Sequence, residues 1–289
     1  MTALRLGVLP WQVRAVPGLD VWVARLDREV GIAARAGAQM LVMPEYAPLE
    51  MATGRMPDVE AELRSACALA PLAVAAACNV ARRHSVWLLP GTLPFETGGT
   101  IRNRAPFIGP DGRVAYQDKS RMTRFETELW RISPGAPPAV FETPFGRIGI
   151  AICYDLEFPT LVRAQVEAGA WLILAPTCTD TPAGFNRVRI AGCARAMENQ
   201  CFVAIAPTTG MAPEIATLDE NIGAACVLGP VDRGFSDDGV VAQGEMGAAD
   251  WLFVDLDPAR LDTVRREGAV FNYADYPPAP PPCALGVFA

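Results

Sequence analysis

Four short runs of this chain contain only apolar residues and end at a proline. They are Met40-Leu41-Val42-Met43 before Pro44, Val86-Trp87-Leu88-Leu89 before Pro90, Trp171-Leu172-Ile173-Leu174-Ala175 before Pro176, and Cys201 to Ala206 before Pro207. A strand with one wet face alternates polar and apolar residues, whereas a strand apolar at every position has both faces covered, as in parallel sheets flanked by helices. Helical patterns separate these runs at Leu19 to Arg35, Pro57 to Arg83, Thr160 to Ala168 and Asn186 to Asn199, and a last one covers Leu256 to Glu267 with Pro258 near its start. Further strands are predicted at Leu4 to Leu9, Ala224 to Leu228, Val240 to Gln243 and Trp251 to Asp255. Thr100 to Asp118 reads as a hairpin around Pro110-Asp111-Gly112. No low-complexity linker divides the chain, so it reads as one domain over residues 1–271, with a Pro-rich tail over 272–289 that is extended from Tyr273 on.

Composition narrows the function. With 51% hydrophobic residues the chain can fill a sizeable core. A net charge of -7 argues against nucleic acid or an anionic membrane surface as partner. No apolar run approaches the roughly 20 residues of a membrane span, and Met1 to Arg5 lacks signal-peptide features. The eight cysteines include no C-x-x-C pair and suit reduced thiols, hence a cytoplasmic setting. Histidine occurs once, as His84, so a zinc site is not expected, and a Cys-His couple would require that one ring to reach the reactive thiol. Of 25 basic residues only Lys119 is a lysine. A lone Lys among arginines is either chance or a place needing a compact ammonium rather than a planar fork.

Three residues stand just past predicted strands. Glu45 follows Pro44 and reads as a helix cap or a site carboxylate, since ligands gather at the carboxyl ends of strands in open α/β sheets. Lys119 follows the hairpin and leads a polar, aromatic loop that is either pocket lining or ordinary surface. Cys153 ends the run Gly149-Ile150-Ala151-Ile152 and precedes Tyr154-Asp155-Leu156-Glu157-Phe158-Pro159. It is a small buried hydrophobe or a nucleophile at a strand-to-helix turn, where unpaired backbone N–H groups lower a thiol pKa and can hold an oxyanion.

Pro44-Glu45, Lys119 after the hairpin, Ile152-Cys153-Tyr154-Asp155 with Phe158-Pro159, and Arg195-Ala196-Met197-Glu198-Asn199 together resemble the nitrilase, or carbon–nitrogen hydrolase, superfamily, over about Leu4 to Glu267. The resemblance implies an α/β fold, a four-layer α-β-β-α sandwich, with no metal or organic cofactor, assembled as a homodimer or higher homo-oligomer. It also implies Glu45 as general base, Lys119 as stabiliser of the tetrahedral intermediate and Cys153 as nucleophile, with the Tyr154 backbone N–H as second oxyanion donor. A further substrate-positioning glutamate is implied shortly after the lysine. Counting from Lys119 selects Glu126 and counting back from Ser133-Pro134-Gly135 selects Glu128, and Glu126 is preferred. Thr177, Cys178, Thr179 and Asp180 are expected to wall the pocket, with packing the alternative for Cys178. Arg187, Arg189 and Arg195 are clamps for a substrate carboxylate or, more commonly for such arginines, members of ion pairs with Glu198 or Asp180.

These features imply hydrolysis of a small carboxamide through a cysteine thioester. The alternatives are attack on a small nitrile by the same triad, or a catalytically silent binding protein on this fold. With one histidine and no clustered thiols, activity should be unchanged by exhaustive EDTA treatment; inactivation by chelation with rescue by zinc would contradict this site class.

Overall fold

The structure, a computed structural model, describes residues 2–52 and 58–276. Pro57, expected to open a helix, and the prolines from Pro277 to Pro282 lie outside the described residues. In chain order the first half contains β1 (Leu4–Val8), β2 (Trp11–Gln12), α1 (Leu19–Arg35), β3 (Met40–Val42), α2 (Val59–His84), β4 (Trp87–Leu89), β5 (Leu93–Thr97), β6 (Thr100–Ile108) and β7 (Val114–Asp118). After the short α3 (Arg124–Glu128) come β8 (Val140–Thr143), β9 (Gly146–Ile150), α4 (Pro159–Glu167), β10 (Ala170–Thr177), α5 (Pro182–Asn199) and β11 (Phe202–Met211). The chain continues through β12 (Glu220–Asn221), β13 (Cys226–Leu228), β14 (Val240–Gln243), β15 (Leu252–Leu256), α6 (Pro258–Glu267) and α7 (Asn272–Asp275).

Each half is a β-α-β-α-β unit extended by antiparallel strands. β1, β3 and β4 run parallel, as do β9, β10 and β11, and helices return the chain between them because parallel neighbours need a crossover. The first sheet has the order β15-β1-β3-β4-β6-β5 with β7 on β6; the second runs β14-β13-β11-β10-β9-β8, with β12 and β2 on β11. β2 leaves the first sheet to pair Trp11 with Thr208, lacing the two sheets together.

Alternation along the strands builds the layers. Leu4, Leu6, Val8, Met40, Val42 and Leu89 share one core cluster with Ile148, Ile150, Leu172 and Leu174 of the second sheet. Leu41 and Leu88 turn the other way and join Trp22, Leu26, Val30, Ala66, Ala70 and Ala77 of α1 and α2. α4 packs on β9 and β10, and α5 on β11 and β13. The result is the four-layer α-β-β-α sandwich that the family resemblance implied.

Two expectations need correction. α2 has 26 residues and enough hydropathy to cross a membrane by length and composition, so an apolar segment of that size is present. Its alanine-rich stripe, Ala66, Ala70, Ala73, Ala77 and Ala81, is buried in the fold. Second, the chain is not extended directly after Tyr273. Residues 272–275 form a helical turn, and Arg163 and Arg265 lie 5.0 and 4.1 Å from the Tyr273 ring centroid.

One glycine controls how β4 meets the residues after β3. Gly91 has φ +106, and a Cβ built there would lie 2.3 Å from the carbonyl oxygen of Pro44, the residue before Glu45. Both the conformation and the contact exclude a side chain. Gly91→Ala should destabilise the protein by about 1–3 kcal/mol and displace Glu45, measured as a lower urea midpoint together with slower modification of Cys153.

Candidate active site

The strand ends bring four predicted residues to one place. Glu45 follows β3, Lys119 follows β7, Cys153 begins a 3-10 turn (Cys153–Glu157) after β9, and Glu126 lies in α3. All four are at least 95% buried. The Lys119 ammonium donates to Glu45 Oε1 at 2.8 Å and to Glu126 Oε2 at 2.7 Å. Glu128, the other candidate, is exposed and pairs with Arg124 at 2.9 Å. Glu126 is selected by local structure: Thr123 caps α3, and Glu126 closes a capping box by accepting from the Thr123 N–H at 2.9 Å.

Backbone bonds hold Lys119 on both sides. Its N–H donates to Asn103 O and its carbonyl accepts from Gly135 N–H, both at 2.8 Å. The buried Asp155 carboxylate accepts from the N–H groups of Ser120 (3.0 Å) and Arg121 (2.7 Å), tying the lysine loop to the turn that carries Cys153. Cys153 itself has φ +47, a left-handed conformation unusual for a side-chain-bearing residue and a mark of a turn over-determined by its surroundings. Its Sγ lies 3.6 Å from the carbonyl oxygen of Cys178.

Sequence inspection gave no role to Asn103 or Tyr46, yet both touch the carboxylates. Asn103 Nδ2 donates to Glu45 Oε1 at 2.8 Å and to Glu126 Oε1 at 3.2 Å. Tyr46 Oη donates to Glu126 Oε1 at 2.5 Å. The signal that finds Asn103 is register: β6 and β7 pair without a bulge from Ile108↔Val114 to Arg104↔Asp118, so the next pair is Asn103 with Lys119.

The electrostatics follow from burial and like-charge crowding. Burial, then Glu126, push the Glu45 carboxyl up to about 7 against the pull of Lys119. Burial opposes the Lys119 ammonium, but Glu45 and Glu126 outweigh it and hold the pKa well above the ordinary lysine value. Burial also works against ionised Glu126, and Lys119 with the hydrogen bonds from Tyr46 and Thr123 overcomes it, so Glu126 stays a carboxylate. The Cys153 thiol goes opposite to the expectation drawn from its turn: burial and the neighbouring Glu45 charge push it well above the ordinary thiol range. At rest it is therefore a thiol, and reaction requires a base at hand. Glu45, whose charge acts directly on the thiol, is the neighbouring carboxylate with a proton affinity suited to that task.

A cavity of about 370 Å³ opens onto these groups. Tyr46, Phe125, Trp130 and Tyr154 give it aromatic walls, and Thr179, Asp180, Arg187, Ala216, Thr217 and Asp219 form much of the remainder. Glu62 of α2 fixes part of that rim, accepting from Ala216 N–H at 2.9 Å and Thr217 N–H at 3.1 Å. Cys178 lines the cavity, with its thiol 3.8 Å from Asn221 Oδ1 and pushed by burial to about 12. Thr177 does not line it: the residue belongs to β10, and its hydroxyl donates to Ala206 O at 3.2 Å. Arg187 reaches the cavity but is paired at 2.7 Å with Glu157, not with the expected Glu198 or Asp180, whereas Arg195 is paired with Glu198 at 2.7 Å as expected. His84 lies 2.8 Å from Asp27 on α1, so it forms no couple with Cys153. Among the described residues no cluster of three or more His, Cys, Asp or Glu side chains suits a metal ion.

A two-sheet sandwich with these groups gathered around one cavity has counterparts among known proteins. The carbon-nitrogen hydrolase family model matches residues 9–243, and the chain belongs to that family. It is 28% identical over 275 residues to a probable hydrolase, YhcX, of Bacillus subtilis, covering 94% of this chain but only 53% of that protein, so it spans about half the length of that relative. It is 27% identical to the mouse omega-amidase NIT2, over 71% of this chain and 75% of that one. Among solved structures it superposes on yeast Nit3 with a TM-score of 0.75 at 19% identity, covering 91% of this chain and 93% of that one. An amidase from Nesterenkonia sp. AN1 gives 0.73 at 24% identity, covering 91% and 96%. At these identities the two structures establish a shared fold.

The Glu45 carboxyl near 7 makes a testable pH signature. Below that pH it is protonated and cannot take the thiol proton; above it the base is available. Alkylation of Cys153 by iodoacetamide, followed by peptide mass spectrometry, should rise through a step near pH 7, and Glu45→Gln should abolish that step.

Proposed function

We propose that the chain hydrolyses the carbon–nitrogen bond of a small carboxamide through a thioester on Cys153. The observation that carries this reading is the Lys119 ammonium held between two carboxylates beside a buried thiol, at the floor of a cavity of about 370 Å³. A glutamate-to-glutamine mutant of the Nesterenkonia amidase, which shares the fold, shows covalent addition of the acetamide moiety of fluoroacetamide at the active-site cysteine, and this supports a nucleophilic role for Cys153 here.

The reaction follows from the groups present. Glu45 takes the Cys153 proton as sulfur attacks the amide carbon, so a free thiolate need not accumulate. Negative charge moving onto the amide oxygen is met by Lys119 and by the Tyr154 backbone N–H, which belongs to the first turn of the 3-10 helix, where N–H groups lack intrahelical partners. The C–N bond then breaks, and protonated Glu45 passes its proton to the departing ammonia or amine. Water enters, Glu45 takes one of its protons as the oxygen attacks the thioester carbon, the C–S bond breaks to release the acid, and Glu45 returns the proton to the sulfur. Glu126, kept ionised, accepts from the amide nitrogen or the incoming water and orients it.

Assembly as a homodimer belongs to the same reading. Its support is the outer side of α5, where Ile190 and Met197, two turns apart, are exposed.

Steady-state kinetics on small amides tests the mechanism. Cys153→Ala should abolish turnover while Cys178→Ala keeps most of it. Lys119→Arg should fold normally, by circular dichroism, yet lose about a hundredfold to a thousandfold in kcat, the usual cost of a lost oxyanion donor. A guanidinium is too long and planar for the space between the two carboxylates. Near wild-type rates in folded Lys119→Arg and Lys119→Ala would remove the lysine from the mechanism.

A further inference from the structure

The carboxylates of Glu45 and Glu126 share two bridging donors. One is Lys119; the other is the neutral amide of Asn103, which is completely buried. Asn103 Oδ1 has no hydrogen-bond partner among the described residues, so the amide leaves an acceptor unsatisfied in order to present its N–H groups to the acids. The opposite orientation would aim Oδ1 at both carboxylates, and that repulsion fixes which way the amide points. Its backbone is equally constrained, because its carbonyl receives the Lys119 N–H across the β6–β7 pair.

The bonding pattern has a consequence for the base. Glu45 Oε1 accepts from both Lys119 and Asn103, two donors on different elements, which restrains the carboxylate plane and leaves Oε2 outside both bonds, in a group that acts directly on the Cys153 thiol. With Lys119 alone the carboxylate can turn about a single bond. A neutral donor also relieves crowding between two acids without adding a charge that would compete with Lys119 for the oxyanion.

We propose that Asn103 is a positioning residue, whose amide locks the Glu45 and Glu126 carboxylates in one mutual orientation so that the free oxygen of Glu45 faces the Cys153 thiol. This rests on the amidase reading above. It adds a fifth side chain to the functional unit, one that touches neither the substrate nor the sulfur.

The test is Asn103→Leu, close in size and without a donor. Loss of the donor disfavours ionised Glu45, so the pH midpoint of Cys153 alkylation by iodoacetamide should move up by about half a unit or more. On an amide the wild type turns over, kcat should fall about tenfold to a hundredfold, as misplaced bases do, with KM changed by less than about threefold. Asn103→Ser, which keeps a donor, should recover part of both effects relative to Asn103→Ala, and this pair decides the matter if the leucine variant does not fold. An unshifted alkylation midpoint with wild-type kcat in Asn103→Leu, or identical profiles for the Ser and Ala variants, overturns the proposal. Because alkylation needs no substrate, a wild type that hydrolyses no amide refutes the amidase reading while leaving the role of Asn103 still decided by the midpoint.

Discussion

A single buried ammonium organises this protein. Lys119 is almost wholly removed from water, and an isolated ammonium there would cost far more than any one contact returns. It persists because Glu45 and Glu126 flank it, and they in turn persist because of it and the polar groups around them. Two acids and one base leave a net negative charge in the pocket. Burial, reinforced by that excess, explains why the Glu45 carboxyl is raised to about 7 while Glu126, with Lys119 and donors from Tyr46 and Thr123, stays ionised. Placing two glutamates in different surroundings gives them different proton affinities, and hence different tasks.

Much of the scaffold is readable from the residues because the physical signals are strong. Fully apolar runs ending at Pro44, Pro90, Pro176 and Pro207 mark strands covered on both faces, and every one is a strand in the sheets. Glu45, Lys119 and Cys153 are conspicuous because each is a polar or reactive group placed where a strand gives out. The choice between Glu126 and Glu128 was also legible, though not through counting: Thr123-Arg124-Phe125-Glu126 has the spacing of a capping box, and that local geometry turns Glu126 inward.

What stayed hidden depends on tertiary context. Asn103 is one polar residue between two arginines, and only the unbulged hairpin register sets it against Lys119. Tyr46 reaches Glu126 from a position of φ +59, which no periodicity announces. The thiol's upward shift reverses the tendency of its turn because burial and an adjacent carboxylate outweigh exposed N–H groups, and neither can be weighed before the fold is known. Thr177 lay outside the cavity because a strand continued one residue further than its proline suggested.

The Glu62 carboxylate, far from the sulfur in sequence and anchored in α2, grips the rim through Ala216 and Thr217. The reactive groups stand on strand ends, whereas this side of the opening hangs on a connecting segment pinned from the helical layer. Floor and doorway are thus separate mechanical parts, the doorway seated by the Glu62 clasp and by Ala212, Ile215 and Leu218 in the helical-side core. A change at Ala216, Thr217 or Asp219 therefore alters the shape of the opening through a part that carries none of the groups at the floor.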